Sequence, residues 1–477
     1  NSFRKDKMKI IMEDVFVELL VVLEKKGYIN TEEYFVDGTK IEANANKYTF
    51  VWKKAVEKYR AKLQEQVHEL MKDIDELNEE EDKLYLDKEI ELEEITPEEL
   101  EEFSKRLSDK LNKGLEKQKN KEEKKKEKKI KKIIKKIDND FKPRLEKYNK
   151  DLEIIGKNRN SYSKTDTDAT FMHMKEDHMR NGQLKPGYNI QVGSCNGFVV
   201  NWSTHQNRND NGTLIPHLER YERFFNKLPE SIGADSGYGN QENYEYLKEK
   251  HIRNYIKYPL FHKEQTKKFK SMKYNWQNME YDEINDKFTC PEGKKLEYVK
   301  TRYDKTETGF IQENRVYECS DCSNCTHKSE CTKAQGNRQI RFNKKLWQLK
   351  NVARRNLMSE KGLEMRGKRA EYSEGIFGQI KWNMGFKRFL LRGLDKVDLE
   401  WGLLCFALNI KRMNKKDIEK LKEIAMAKAV SLSKNITEFL KQKIQPLSSW
   451  IFCFSGFYFR TPSCIGVRKI INYLISY

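Results

Sequence analysis

The chain reads as an α/β protein: a mixed sheet interrupted by an inserted antiparallel helical coiled-coil hairpin and by a cysteine-rich segment. Three observations predict this. Short apolar runs separated by glycine turns lie between Gly187 and Tyr258, a three-and-four apolar period runs from Trp52 to Leu152, and five of the nine cysteines fall between Cys290 and Cys331. The 477 residues suffice for two or three domains, yet only 37% are hydrophobic and mean hydropathy is −0.90, so much of the chain is expected to be solvated helix. Lys and Arg outnumber Asp and Glu by 93 to 74, giving +19 and a pI near 9.2, which favours a polyanionic partner, nucleic acid before an acidic membrane surface. The most apolar stretch, Trp450 to Val467, is broken by Arg460, Thr461 and Pro462 and makes a poor membrane span; with no leader at the start, the chain reads as intracellular.

The elements follow in order. Met8 to Leu23 is apolar over a broad face and stops near Gly27, a helix with a glycine end signal. Tyr34-Phe35-Val36-Asp37 reads as a strand. Val56, Tyr59, Leu63, Val67, Leu70, Ile74 and Leu77 then form one coiled-coil seam, and Ile130, Ile134, Ile137, Phe141, Leu145, Tyr148 and Leu152 a second. Between them Thr96-Pro97-Glu98-Glu99 is a capping box with proline at the first helical position. The lysine run Lys121 to Lys129 is interrupted by glutamates, so a solvated helix face is favoured over a DNA contact.

Beyond the hairpin, Gly187–Val192 and Phe198–Trp202 read as strands joined by the turn Cys195-Asn196-Gly197. A helix from about Gly212 to Phe225, a strand Ser231–Asp235, a helix Gln241–Lys250 and a fifth strand within His251–Tyr258 complete a mixed sheet. His173, His178 and His205 are spaced irregularly, which favours loop or core histidines over a second metal site.

Three carboxylates stand out, each in its own motif. Asp235, after a strand and before a glycine-flanked turn, belongs at the carboxyl edge of a sheet, where open α/β folds bind ligands. Asp37 sits in an apolar strand, where an ionised carboxylate is costly unless paired or liganding a cation; the plainer reading is a turn-forming Asp-Gly pair. Glu374 is placed on a helix whose Gly378, Lys381, Gly385, Arg388 and Arg392 share one face, an acid among cations along which a DNA backbone fits.

Together these motifs resemble the Asp-Asp-Glu transposases of bacterial insertion sequences, in the branch whose third motif reads Arg, spacer, Glu, six residues, Lys; here Arg369, Glu374 and Lys381. The resemblance extends over DGTKIEANANKYTFVWKK, TDTDATFM, KPGYNIQV, the cysteine segment, and FGQIK with GFKRFLLRG. It implies a ribonuclease H-like core with Asp37 on the first strand, Asp235 just after the fourth and Glu374 on a later helix. The implied organisation is a remnant of a helical region at 1–33, the first core strand at 34–49, the hairpin at 50–164, the core resumed at 165–265, the cysteine-rich insertion at 266–340, C-terminal core helices at 341–420 and a tail of unassigned role at 421–477. Relatives carry a longer DNA-binding region before the first aspartate, so the N-terminal region is expected to be truncated, and the copy inactive if end recognition is lost with it. Met365 lies where some relatives carry a tyrosine, and Tyr372 is not taken as its substitute.

The resemblance implies two Mg²⁺ (or Mn²⁺) ions held by Asp37, Asp235 and Glu374, with Asp37 shared between them, and cleavage at an element end followed by attack of the freed 3′ hydroxyl on target DNA. Arg369, Lys381, Lys387, Arg388 and Arg392 are the implied DNA contacts. Five thiols exceed the four positions of a tetrahedral zinc site; the family pattern favours Cys290, Cys322, Cys325 and Cys331, leaving Cys319 as the alternative ligand, while free buried thiols or an iron–sulfur cluster are the other readings. Lys333, Arg338 and Arg341 would face DNA from that segment. The expected partners are double-stranded DNA and a second copy of the chain, in a bacterial cytoplasmic, nucleoid-associated setting. Two rival readings are a non-catalytic DNA-binding scaffold and a simple two-metal nuclease.

Overall fold

A computed structural model describes residues 7–75, 94–113, 121–157, 159–174 and 183–448. Leu77, His178 and the apolar stretch Trp450–Val467 lie outside the described residues. The chain divides into two units, Asn1–Ile410 and Lys411–Tyr477.

Helix α1 (Met8–Lys25) ends before Gly27, whose φ of +68° is the left-handed conformation that the sequence signal anticipates. Strand β1 (Glu33–Glu42) is buried along nearly its whole length, as the central strand of a sheet must be. The short β2 (Phe50–Trp52) pairs only with β3 (Ser161–Ser163), and the helical insertion lies between them: α2 (Lys53–Asp75), α3 (Pro97–Lys113), α4 (Lys121–Lys136) and α5 (Lys142–Ile155), the last two joined by a π turn at Ile137–Phe141.

The insertion departs from a two-armed hairpin. α2 packs along α5, while α3 packs on α4 and α5, so Leu63, Val67, Leu70, Leu100, Phe103, Leu107, Ile137, Phe141 and Leu145 share one small bundle core. Tyr59, assigned to the seam, is 56% exposed. The capping box forms as written: Thr96 N–H donates to Glu99 Oε2 at 2.8 Å and Glu99 N–H to Thr96 Oγ1 at 3.2 Å. On α4, Lys124, Lys125, Lys126, Lys128 and Lys129 are exposed.

The main sheet is six-stranded. β4 (Thr170–His173) and β6 (Phe198–His205) both pair with β5 (Leu184–Cys195), β4 at its start and β6 along the rest; β5 then pairs with β1, β1 with β7 (Ser231–Ala234), and β7 with β8 (Arg253–Ile256). β1 runs antiparallel to β5 and parallel to β7, and β7 parallel to β8. This mixed sheet is consistent with a ribonuclease H-like domain. The β5–β6 turn places Asn196 and Gly197 at φ 49° and 80°, the paired left-handed residues of a type I′ turn.

Helices cover both faces. α6 (Leu214–Phe225) sets Tyr221 and His217 against Tyr34 of β1, and α7 (Gln241–Glu249) leads into β8. On the opposite face Phe35 packs with Tyr255, Leu357 and Met365, from β8, α10 (Lys344–Met358) and α11 (Glu360–Arg369). Between β8 and α10 the chain forms the short α8 (Lys267–Lys270) and a five-stranded antiparallel sheet: β9 (Glu280–Asp282), β10 (Lys287–Thr289), β11 (Lys295–Lys305), β12 (Ile311–Cys319) and β13 (Gln339–Phe342), with α9 (Lys328–Cys331) before β13. After α11 come a π turn (Ala370–Glu374), α12 (Gly375–Gly378), a second π turn (Gln379–Asn383) and finally α13 (Leu394–Ser448). No helix among the described residues is long and apolar enough to cross a membrane.

The turn between β7 and α7 is fixed by close approach. A Cβ on Gly239 would run into the Lys257 carbonyl and lie 2.8 Å from Tyr258 Cα, both backbone atoms that cannot swing away. Gly239→Ala is therefore expected to cost about 1–3 kcal/mol, read as a lower urea midpoint with an unchanged denaturant slope.

Candidate functional site

The register of the parallel strands decides where the acids stand. Val36 pairs with Ala234, so Asp37 and Asp235 are each one residue beyond a matched pair, side by side at the carboxyl edge. Side chains alternate along a strand, and Asp37 therefore shares the face of Phe35, under α11 and its π turn, while Gly38 shares the face of Tyr34, under α6. Asp235 caps a single 3-10 turn at Ser236–Tyr238, accepting from Gly237 N–H at 2.8 Å.

Glu374 reaches this edge from the end of the first π turn. Arg369 joins it to the strand: its Nη2 donates to Glu374 Oε1 at 2.8 Å and its Nη1 lies 3.8 Å from Asp37 Oδ2. Asp37 is 7% exposed, so the guanidinium answers the cost of a buried carboxylate that the sequence poses. The plain Asp-Gly turn does not form, since β1 continues through Asp37 and Gly38 to Glu42.

The extended face expected around Glu374 is not formed. Two π turns change the angular spacing of successive residues, and Gly385, at φ +69°, follows the end of the second rather than sitting in a helix interior. Arg388 and Arg392 lie beyond it in non-helical chain. Arg388 donates through Nε to Ala43 O and through Nη2 to Ala45 O, both at 3.1 Å, and Arg392 through Nε to Asn44 O at 2.6 Å. Both guanidinia therefore brace the loop after β1. Lys381 is buried rather than displayed on a surface, whereas Lys387 lies 4.1 Å above the ring of the exposed Trp382. The TDTD segment serves the same bracing: Asp166 accepts from Tyr188 O–H and Gly393 N–H, and Asp168 from Leu394 N–H. Burial raises the Asp166 carboxyl above its usual range.

Two polar groups at this edge escape the sequence reading. Asp210, in Asn209-Asp210-Asn211-Gly212, approaches from the α6 face. Its Oδ1 accepts from Asn189 Nδ2 at 2.7 Å and Gln191 Nε2 at 2.9 Å, and it would sit 3.0 Å from a Cβ on Gly38 and 3.4 Å from one on Gly237. The fully buried Tyr238, which donates to Gln191, is held well above the usual phenol range by burial first and then by the charges of Asp210, Asp37 and Asp235. Lys257, one residue past β8, is the second. Only the Asn-Asp-Asn-Gly turn signal marks Asp210, and Lys257 is hidden in a run read as strand.

Met365 is core, 1% exposed, and the Tyr372 ring packs 5.7 Å from Phe35. His205 Nε2 bonds Ser203 Oγ, which bonds His217 Nδ1, whose Nε2 bonds Tyr34 O–H, each at 2.7 Å; burial lowers His205 to about 4. That chain makes His205 a core histidine, and His173 is exposed at the end of β4.

The cysteines gather at the end of the second sheet. Cys290, Cys319, Cys322 and Cys331 belong to one packed cluster with Phe288, Tyr317 and Phe342. None of the five between Cys290 and Cys331 forms a disulfide. Cys319 is raised to about 11, by burial first and then by Cys322 and Cys290; Cys331 is raised by burial, with Cys322, Cys290 and Cys325 adding to it. Arg338 does not project outward: it donates to Cys331 O at 2.5 Å, and its backbone N–H faces Cys322 Sγ at 3.5 Å. Arg341 and Lys333 are exposed.

Among the described residues no group of three or more His, Cys, Asp or Glu side chains is disposed to hold a metal ion, at either centre. The donor chemistry nevertheless suits such ions, hard carboxylates at one and thiols at the other. At the acidic centre Arg369 now acts as counter-cation between Asp37 and Glu374.

Asp210→Ala would leave the Asn189 and Gln191 amides without their acceptor. The expected loss is about 1–3 kcal/mol, measured by urea unfolding against wild type.

No curated protein and no solved structure matches the chain. Residues 289–414, which contain the cysteine cluster, Arg369, Glu374 and Lys381, match the family model described as a transposase DDE domain, and this supports a DDE transposase.

Proposed function

We propose that the chain is an insertion-sequence transposase that hydrolyses a phosphodiester at the end of a DNA element and joins that end to target DNA, the freed 3′ hydroxyl attacking a target phosphodiester whose own 3′ oxygen leaves. The observation that carries this is the adjacency of Asp37 and Asp235 in parallel register, with Glu374 tied to Asp37 through Arg369. Asp37, Asp235 and Glu374 would hold Mg²⁺ or Mn²⁺, which supplies Lewis-acid stabilisation of the phosphorane charge and a more acidic water.

The chain's own residues do the remaining work. Arg369, which holds Glu374 and stands beside Asp37, has a planar fork of the shape that pairs with a phosphate. Lys387 stacked on Trp382 presents a cation and an aromatic face together, a pairing suited to an unpaired base and its phosphate. Asp210 and the Gln191–Tyr238 pair hold the opposite face of the strand edge, which fixes where Asp37 and Asp235 point. Arg388 and Arg392 tie the segment after Glu374 to the loop after β1, so their DNA contact is secondary to that role, while Lys381 would contact DNA from the same segment. Double-stranded DNA is the substrate, and two copies of the chain act together on a pair of ends.

Cys290, Cys322, Cys325 and Cys331, with Cys319 as the alternative, would hold a structural Zn²⁺. The support is the gathering of free thiols in one cluster. Binding requires that the raised thiols of this cluster lose their protons. Protein purified without chelator is expected to carry about one zinc per chain; Cys322→Ser with Cys325→Ser should lose it, and wild-type protein without zinc would refute the assignment.

The catalytic reading is tested with DNA from the flanks of the coding sequence, supplied pre-cleaved with a plasmid target and Mg²⁺ or Mn²⁺. Joined product is the expected result; cutting alone indicates a nuclease, and neither indicates a binding scaffold. Asp37→Asn, Asp235→Asn and Glu374→Gln should each lower end cleavage by on the order of 10³-fold or more while leaving gel-shift affinity for the same DNA within a few-fold.

A further inference from the structure

We infer that Lys257 and Arg366 form a seat for a backbone phosphate of the DNA strand that crosses Asp37, Asp235 and Glu374. The nature of the polyanion rests on the transposase reading; the seat rests on its own geometry.

Ala234 of β7 pairs with Ile256 of β8, so Lys257 stands one residue past the sheet edge beside Asp235, as Asp235 stands beside Asp37. Alternation from Tyr255 puts its side chain on the α11 face. Its backbone is pinned there by the close approach of Gly239. Arg366, three residues before Arg369 on α11 and so on the same helix face, lies 5.3 Å over the ring of Phe261, near enough for its charge to act on Lys257. The Nε atoms of Arg366 and Arg369 are buried and have no hydrogen-bond partner among the described residues.

Lys257, Arg366 and Arg369 thus lie along one face where the carboxylates of Asp37, Asp235 and Glu374 stand near. Burial, then Arg369 and Arg366, lower the Lys257 ammonium below its usual range, and the opposing pull of Asp235 and Glu374 does not restore it. His262 is lowered by burial and then by Lys257 and Arg366. Asp37 and Glu374 answer Arg369, whereas the Arg366 Nε is buried with no hydrogen-bond partner among the described residues, and an anion seated between Arg366 and Lys257 would satisfy both. A phosphodiester does so: one non-bridging oxygen accepts from the ammonium and another from the guanidinium fork, with Asp235 adjacent. The seat would hold the strand a fixed step from the acidic centre, which is how a site selects one phosphorus among many.

The test is amine-acetylation footprinting of the full chain, read by peptide mass spectrometry, with and without a mixed-sequence duplex oligonucleotide at low salt and no divalent metal. Lys257 should be acetylated several-fold more slowly with duplex present, while Lys300 on β11 changes little. Lys257→Gln with Arg366→Gln should reduce the slope of log affinity against log salt by about one, and Lys257→Arg should retain it. Duplex bound with Lys257 acetylated at an unchanged rate would overturn the seat and leave the transposase reading standing. Failure to bind duplex at any salt would overturn both. Protection of Lys257 together with full cleavage by Asp235→Asn would sink the catalytic reading alone.

Discussion

Everything at the acidic centre depends on the register in which β7 lies between β1 and β8. Backbone hydrogen bonds set that register, and they are indifferent to the residues that follow. Yet the residues one step past each matched pair are Asp37, Asp235 and Lys257, so main-chain geometry alone brings an acid, an acid and a base into a row. A slip of one residue in any of these strands would turn that strand's charged residue to the other face. The buried aromatics prevent it: Phe35 and Tyr255 are committed to the α11 side and Tyr34 to the α6 side.

Charge is distributed across the edge by face. On the α11 side Arg369 neutralises Asp37 and Glu374, and Lys257 and Arg366 extend the cationic zone. On the α6 side Asp210 is satisfied by neutral amides instead. The carboxylates are thus stabilised by partners of different kinds, one set ionic and the other dipolar, and the ionic set is the one in which a single guanidinium serves two acids.

The sequence discloses the elements whose signals are local. The Asn196-Gly197 turn, the Thr96–Glu99 box and the helix end at Gly27 form as written because each depends on a few neighbouring residues. The adjacency of Asp37 and Asp235 follows from β7 ending beside Val36 in the middle of β1, and the motif pattern points to it. The segment after Glu374 is misread because helical spacing is extrapolated through Gly385, where two π turns and a left-handed glycine end the periodicity; Arg388 and Arg392 then look like a DNA face when their partners are carbonyls of Ala43, Ala45 and Asn44. Lys257 and Asp210 are invisible for another reason. Their importance arises from partners outside their own segment, Asn189 and Gln191 of β5 for Asp210 and the register of β8 on β7 for Lys257, and no short window carries that information.

The neck of the helical insertion has a consequence for how such proteins diversify. Among the described residues β2 and β3 form a two-stranded sheet of their own, so the chain leaves the core and returns to it at one clasp, Phe50 opposite Ser163. Because its two ends are held together there, the excursion is a cassette: its helices can lengthen, shorten or be exchanged without altering the spacing of the strands that carry the acids. Variation in length and surface can accumulate in that cassette while the strands that carry Asp37 and Asp235 stay where they are.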